Sequence, residues 1–275
     1  MTERLFVRKP INRNEEERSM INFLNSQTTI IAPGYQHLSD WVRQVPQLFA
    51  AGNGELLYKG RNQIRMFELA GEKLVVKRFK RNDVFKALSY TFFRKSKACR
   101  SFENAIALRQ RGFKTPHEVA YVEQTCVGLI TQVFYISAYT DSQPIRPRLI
   151  ELEPFDQQLA VVYARYVASL HEAGVLHRDL NPTNVLVDNE NHFELIDINR
   201  MQFFDGPVPK ADCMENLTLF YWLTPAYRFI LNEYAQQRGW TETDIAKAIH
   251  VKEVHDRRWI RRKKITHLGK YEVLH

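Results

Sequence analysis

Among the side chains with hard oxygen donors in one short stretch of this 275-residue chain, HRDLNPTNVLVDNENHFELIDINR at 177–200, three are spaced to meet at one site: Asp179, Asn184 and Asp197. Residues 185–187 are an apolar run, 188–191 (Asp-Asn-Glu-Asn) form a turn, and 193–196 are a second short run. The pattern predicts a hairpin. A hairpin brings its ends together, which sets Asn184, just before the first strand, beside Asp197, just after the second. One amide oxygen and one carboxylate suit Mg²⁺, which takes one or two protein oxygens and completes its octahedron with phosphate oxygens and water. Asp179 precedes Asn184 on the loop leaving a helix and can face the same site as a base. A polar capped loop ahead of a structural hairpin is the bland alternative.

The order of these residues resembles the protein-kinase-like superfamily. The pattern H-R-D-L-x-x-x-N is intact as His177, Arg178, Asp179, Leu180 and Asn184, and Asp197 stands where D-F-G supplies its aspartate. The resemblance implies that ATP donates the phosphoryl group, that Asp179 accepts the proton of the acceptor hydroxyl, and that Asn184 and Asp197 hold Mg²⁺. Lys77, in Leu74-Val75-Val76-Lys77, resembles the strand lysine of V-A-I-K and would contact the ATP phosphates; otherwise it is an edge-strand lysine facing solvent. Glu103, the only acidic residue in 84–111, is the candidate partner of that lysine. The ATP-binding loop is thinner. Only Gly60, in Tyr58-Lys59-Gly60-Arg61-Asn62, stands in for G-x-G-x-x-G. Its turn can present backbone N–H groups to a phosphate, with Lys59 and Arg61 adding charge; a plain hairpin turn explains it nearly as well.

Two departures bear on the acceptor. Asn199 takes the place of the D-F-G glycine; asparagine is among the residues that best tolerate positive φ, so the turn remains open to it. No A-P-E follows, and only residues 200–211 separate Asp197 from the next helical pattern. That is short for a segment that must hold a peptide, and Asn181 stands where many protein kinases carry lysine. Both point to a small or lipid-linked acceptor. The closer resemblance is to the bacterial lipopolysaccharide core kinases, the InaA/WaaP-like and Kdo-kinase group. It rests on Lys59-Gly60-Arg61-Asn62, Lys77-Arg78-Phe79-Lys80-Arg81, Arg94-Lys95-Ser96-Lys97 and Leu195-Ile196-Asp197-Ile198-Asn199-Arg200, within residues 30–240. It implies phosphorylation of an inner-core sugar, Kdo or heptose, on a lipid A-linked acceptor at the cytoplasmic membrane face. A protein serine/threonine kinase and a pseudokinase scaffold in envelope assembly are the rivals, the second motivated by the thin glycine loop.

These side chains need elements to hold them. Residues 1–25 are charged and aperiodic, a flexible or accessory N-terminal segment. Residues 38–50 read as a short helix interrupted near Pro46. Residues 55–58, 63–69 and 73–79 form a β-meander. Helical spacing runs over 83–111 through Val84, Leu88, Phe92, Phe102, Ile106 and Leu108, with Gly112 as the stop. Residues 118–123 and 127–135 are a further strand pair, and the polar, proline-bearing 140–147 reads as a hinge. Residues 155–173 carry an apolar stripe (Leu159, Val162, Tyr163, Tyr166, Val167, Leu170) ended by Gly174, and helical patterns return from about 213. The expected architecture is α+β: a two-lobed protein-kinase-like fold with a strand-rich N-lobe over 26–139 and a mostly helical C-lobe over 140–275, the ligand lying in the cleft between them.

The formal net charge of +8 favours an anionic partner. The run Arg257-Arg258-Trp259-Ile260-Arg261-Arg262-Lys263-Lys264 sets an aromatic and an aliphatic residue among six cations. That suits the anionic inner face of the cytoplasmic membrane, although a solvated helix face explains it as well. Nucleic acid is not expected, because no recognition motif accompanies the charge. No run of 18 apolar residues predicts a membrane span, and residues 1–20 are too polar for a secretory signal. Cys99, Cys126 and Cys213 lie far apart with no C-x-x-C pair, which argues against a disulfide framework or a zinc site. The expected setting is cytoplasmic, peripheral to the inner membrane. His177 reads as a buried anchor of its loop and His171 as a helix-end residue with no special role.

Overall fold

The computed structural model describes residues 25–69, 71–80, 95–127 and 129–266. The chain divides into two compact units. One holds the described residues up to Phe102 together with Glu118–Tyr139; the other holds Glu103–His117 and the described residues from Thr140 onward.

The first unit is built on a six-stranded antiparallel sheet: β1 (Asn25–Ile31), β2 (Glu55–Lys59), β3 (Gln63–Leu69), β4 (Glu72–Arg78), β5 (Glu118–Cys126) and β6 (Leu129–Ala138), in the order β1-β5-β6-β4-β3-β2. The expected meander is β2–β4, with β3 as expected and β4 shifted by one residue, and the expected pair is β5–β6, each running further towards its C-terminal end than its sequence pattern. One face of the sheet carries Leu74, Val76, Val122, Phe134 and Ile136, buried under Val42, Val45 and Phe49 of helix α1 (Ser39–Ala50). Phe49 meets Phe134 edge-on, ring centroids 5.5 Å apart. Contrary to the expected interruption, α1 runs through Pro46. A proline inside a helix costs about 3 kcal/mol, but Val42, Val45, Pro46 and Phe49 form one buried stripe at helical spacing, and the sheet beneath that stripe holds the helix together. On the other face of the sheet, Phe102, near the start of helix α2 (Lys97–Gln110), meets Tyr121 edge-on with centroids 5.4 Å apart. The earlier start expected for this helix, through Val84, Leu88 and Phe92, lies outside the described residues, as do residues 1–24 of the lead-in.

The second unit is mostly helical: α3 (Gln157–Glu172), α4 (Lys210–Leu217), α5 (Pro225–Gln237) and α6 (Glu242–Thr266). Its short strands are β7 (Gln143–Pro144), β8 (Val175–His177), β9 (Val185–Val187), β10 (Phe193–Leu195) and β11 (Met201–Phe203). Asp156 starts α3 by accepting the Leu159 N–H at 2.9 Å. Gly174 ends it at φ +70, where a Cβ would run into the carbonyls of Phe204 and Gly206. The stripe of α3 (Leu159, Tyr163, Val167, Leu170) joins Tyr227, Ile230, Leu231 and Tyr234 of α5 in one core with Ala105 and Leu108 of α2. The expected hinge stretch carries β7, which pairs with β9.

His171, in the last turn of α3, is buried and accepts from the Tyr234 hydroxyl at Nδ1 (2.8 Å) while its Nε2 donates to Asn216 Oδ1 (3.0 Å). Burial pushes its pKa down from 6.5 to about 4. The native state therefore holds fewer protons than the unfolded chain between those values. The stability tied to this ring is fully present above pH 6.5 and is lost as pH falls towards 4. We expect the unfolding free energy to drop by up to about 3 kcal/mol over that window, read by denaturant titration at each pH. His171→Gln, which keeps a donor and an acceptor, should flatten the dependence. A wild-type profile already flat between those pH values would contradict this assignment.

Candidate active site

The site is built where β8 hands over to the β9–β10 hairpin. His177, at the end of β8, is 1% exposed. Its Nδ1 accepts the backbone N–H of Asp179 at 3.0 Å, and its Nε2 donates to the carbonyl of Ile196 at 2.9 Å. The ring is therefore a strut between the loop and the far end of the hairpin, as its reading as a loop anchor expected. Burial holds its pKa below the ordinary histidine value, against the pull of the Ile196 hydrogen bond and of Asp179 and Asp197. A proton on Nδ1 would face the Asp179 N–H, so the neutral form is the one that fits.

Two asparagines shape the loop around Asp179. Asn181 Nδ2 donates to Asp179 Oδ1 at 3.2 Å, and Asn184 Nδ2 donates to the Asp179 carbonyl at 2.9 Å. Asn184 is thereby oriented through its amide nitrogen. Its Oδ1 takes part in no hydrogen bond among the described residues. The Ile196 N–H then closes the hairpin on the Asn184 carbonyl at 3.0 Å, in line with the Val185↔Leu195 register. The expected hairpin is thus observed, with Asn184 and Asp197 at its two ends. Asp188 Oδ1 shapes its turn by accepting from the N–H groups of Glu190 and His192.

The turn after Ile196 differs from expectation. Positive φ is not at Asn199 but at Asp197 itself (φ 56), with Asn199 in the short helical turn that follows. Aspartate tolerates the left-handed region through its short polar side chain. Asn199 supports it: its Nδ2 donates to Asp197 Oδ1 at 2.6 Å. More distant residues brace the same strand end. Thr115 Oγ1 donates to the Leu195 carbonyl and Asn104 Nδ2 to the Ile198 carbonyl, both at 2.7 Å. Arg178 is tied to Gln202 at 2.8 Å and to Asp212 at 3.2 Å. The bracing by Asn104 and Thr115 escaped the sequence reading. The only hint was a polar residue at a spacing where α2 otherwise turns apolar side chains inward.

Of the expected site residues, Asp179, Asn184 and Asp197 are thus gathered by one loop and one hairpin of the second unit. Glu103 belongs to that unit as well, exposed on α2. Lys77 belongs to the first, half-buried on β4, paired across the sheet with Ile64 and Tyr135, its ammonium 5.2 Å from the Phe79 ring. Lys59 ends β2, paired with Gln63, and Gly60 and Arg61 start the β2–β3 turn. There the Gly60 N–H donates to the Asn62 carbonyl at 3.0 Å, and a Cβ on Gly60 would run into the Tyr58 ring. The glycine therefore has a packing reason to be there.

Among the described residues no cluster of three or more His, Cys, Asp or Glu could hold a metal ion. The Asn184–Asp197 pair is of another kind: two hard oxygens that leave most of the coordination shell to phosphate and water, which fits Mg²⁺. Cys99, Cys126 and Cys213 are free thiols. No helix among the described residues is long and apolar enough to cross a membrane.

A loop that leaves a buried helix, carries an anchored aspartate and runs straight into a hairpin ending in a second aspartate is how kinase-fold phosphotransferases are arranged in their helical part. A family model for the lipopolysaccharide kinase (Kdo/WaaP) family matches residues 55–251. That is more than half of the sequence, and the chain belongs to this family. Among solved structures, "WaaP in complex with acyl carrier protein" shares the fold, with a TM-score of 0.57 and 19% identity over 84% of this chain and 98% of that one. Among curated proteins, the serine/threonine-protein kinase greatwall of Mus musculus is 34% identical over 71 residues, which is 24% of this chain and 8% of that protein. The serine/threonine-protein kinase Warts of Drosophila melanogaster is 32% identical over 69 residues, 24% and 6% respectively. The chain thus spans only a small part of the length of these curated relatives.

Proposed function

We propose that this protein transfers the γ-phosphoryl group of ATP to a sugar hydroxyl of the lipopolysaccharide inner core, a Kdo or heptose on a lipid A-linked acceptor. The observation that carries the chemistry is the Asp179 loop: a carboxylate positioned by Asn181, with Asn184 oriented by the same loop and Asp197 set at the other end of its hairpin. Membership of the lipopolysaccharide kinase family supports the acceptor class.

In this reading Asp179 orients the acceptor hydroxyl and takes its proton. Asn184 and Asp197 would hold Mg²⁺, which when bound offsets phosphate charge. Lys77, Gly60 and the Arg61 side chain of its turn are proposed for the ATP phosphates, with Glu103 as the carboxylate supporting Lys77; Lys59, expected among them, pairs in register with Gln63 and through it with Arg78, which sets it on the sheet face opposite Lys77. Positioning and charge stabilisation, not covalent chemistry by the protein, account for the rate. The basic end of α6 is proposed to rest on the anionic inner face of the cytoplasmic membrane. There Trp259 is 40% exposed and packs edge-on against Trp222, and the exposed Arg257, Arg258, Arg261 and Arg262 flank it in the sequence. Each such cation near an anionic surface contributes on the order of 1 kcal/mol.

The test is transfer of labelled γ-phosphate from Mg·ATP to a lipid A–Kdo acceptor. Label on the sugar is the expected result. Label on a generic protein acceptor alone would favour a serine/threonine kinase, the activity printed in the names of the curated relatives. ATP binding without transfer to either acceptor would make the chain a nucleotide-binding scaffold.

A further inference from the structure

One cavity of the first unit is lined in part by the turn that carries Gly60 and Arg61, both proposed for the nucleotide, but not by Lys77. It measures about 760 Å³ and is lined by Lys59, Arg61, Arg78 and Lys80, with polar side chains from Asn62, Gln63 and Gln132. That is within the usual range of small-molecule sites, about 300–1,000 Å³. Four cations contribute to it, and no carboxylate is among its described lining residues. Like charges gathered in one concavity repel unless an anion joins them, so the arrangement favours an anionic occupant.

Strand register separates this cavity from the proposed ATP lysine. Residues directly opposite one another in an antiparallel pair point to the same face, and neighbours along a strand point to opposite faces. Lys59 pairs with Gln63, Gln63 with Arg78, and Arg78 with Phe134. Phe134 lies on the face covered by α1. Lys59, Gln63 and Arg78 therefore share that face, and Lys77, paired with Ile64 and Tyr135, has the opposite one. Arg78 is also held in place. Its Nη2 donates to Gln63 Oε1 at 2.8 Å, and its guanidinium sits 5.0 Å from the centre of the Phe49 ring. That hydrogen bond uses one of the five N–H donors a guanidinium carries, and no carboxylate among the described residues pairs with it. The Lys80 N–H holds Asn62 through its Oδ1 at 3.2 Å, which fixes the turn against the end of β4. A pinned, half-buried arginine with donors to spare is the preorganised fork that phosphate recognition uses.

We infer that this cavity is a second phosphate site, on the sheet face opposite Lys77, which takes a phosphate group of a ligand other than the ATP being consumed. The shared chemistry is a phosphomonoester or diphosphate, carried by a soluble phosphorylated compound or by a lipid headgroup. Gly60 and Arg61 also figure in the nucleotide reading, so the test rests on Arg78 and Lys80, which do not.

The experiment is a calorimetric titration of inorganic pyrophosphate into the full chain saturated with AMP-PNP, with Mg²⁺ in excess. The wild type should bind pyrophosphate alongside the nucleotide. The double variant Arg78→Gln/Lys80→Gln should bind it at least about tenfold more weakly, as loss of charge-assisted hydrogen bonds requires, with AMP-PNP affinity unchanged. The charge-conserving single variant Lys80→Arg, which leaves the Arg78 fork in place, should retain most of the binding. Vesicles of phosphatidylcholine with phosphatidic acid then separate the two sources. A parallel loss of vesicle binding in the glutamine variant assigns the site to a headgroup, and unchanged vesicle binding assigns it to a soluble ligand. Competition between pyrophosphate and AMP-PNP, or a matching fall in nucleotide affinity in the glutamine variant, would overturn the inference by making the cavity part of the nucleotide site. So would equal pyrophosphate binding by wild type and glutamine variant. If the chain binds no nucleotide, the proposed kinase activity fails, while the pyrophosphate titration still decides the cavity.

Discussion

Asp179→Asn should lower the rate of phosphoryl transfer by about 10²–10⁴-fold, the range that a positioned general base contributes, while Mg·ATP still binds. Asparagine is the informative replacement because it is nearly isosteric. It keeps an oxygen where Asn181 Nδ2 now donates, and it leaves untouched the backbone contacts of the loop, the N–H to His177 and the carbonyl to Asn184. Any loss then reports the missing proton acceptor and not a collapsed loop. The readout is single-turnover transfer of labelled phosphate, paired with an equilibrium measurement of nucleotide binding. Turnover near the wild-type rate would remove Asp179 from the role of base. Equal loss of transfer and of nucleotide binding would mean that the residue acts through the loop's structure.

Much of this site was legible in the sequence because its logic is local. The spacing from Asp179 to Asn184 and the two apolar runs around a turn at 188–191 lie within one short stretch, and hairpin closure is a short-range event whose outcome period and turn residues dictate. The left-handed residue was misplaced because the family pattern puts its glycine two positions after the aspartate. In this chain Asp197 takes the unusual backbone conformation itself and Asn199 acts through its side chain. The strands β1, β8 and β11 went unread for a different reason. β8 and β11 are three residues each and exist only as each other's partners, Val175↔Phe203 through His177↔Met201, while β1 has only β5 to define it. Nothing in their own periodicity distinguishes them from loop. Pro46 is a third case: a reliable local breaker overruled by the tertiary burial of the stripe it belongs to. The opposed faces of Lys77 and Arg78 were implicit in strand alternation, but which cross-strand neighbours joined Arg78 in a cavity required the register.

The sharpest test of the proposed metal pair is Asp197→Asn. Because Asp197 sits at φ 56, replacement by alanine would mix two effects, loss of the carboxylate and the strain of a left-handed residue without a local polar side chain, which costs about 1–2 kcal/mol. Asparagine tolerates that backbone nearly as well as aspartate, so the turn should persist. The variant keeps an oxygen for the Asn199 Nδ2 donor, now 2.6 Å from Asp197 Oδ1, and removes only the negative charge. A hard divalent cation loses far more from a carboxylate replaced by an amide than a hydrogen-bonded turn does. Asp197→Asn should therefore leave the thermal unfolding midpoint within a few degrees of wild type, weaken Mg²⁺-dependent nucleotide binding by about tenfold or more, and abolish measurable transfer at millimolar Mg²⁺. Mn²⁺ titration followed by electron paramagnetic resonance reads the metal directly and does not depend on turnover. Unchanged Mn²⁺ affinity in the nucleotide complex, in a variant that still folds, would move the metal away from the hairpin and leave Asp197 as a structural residue of the turn.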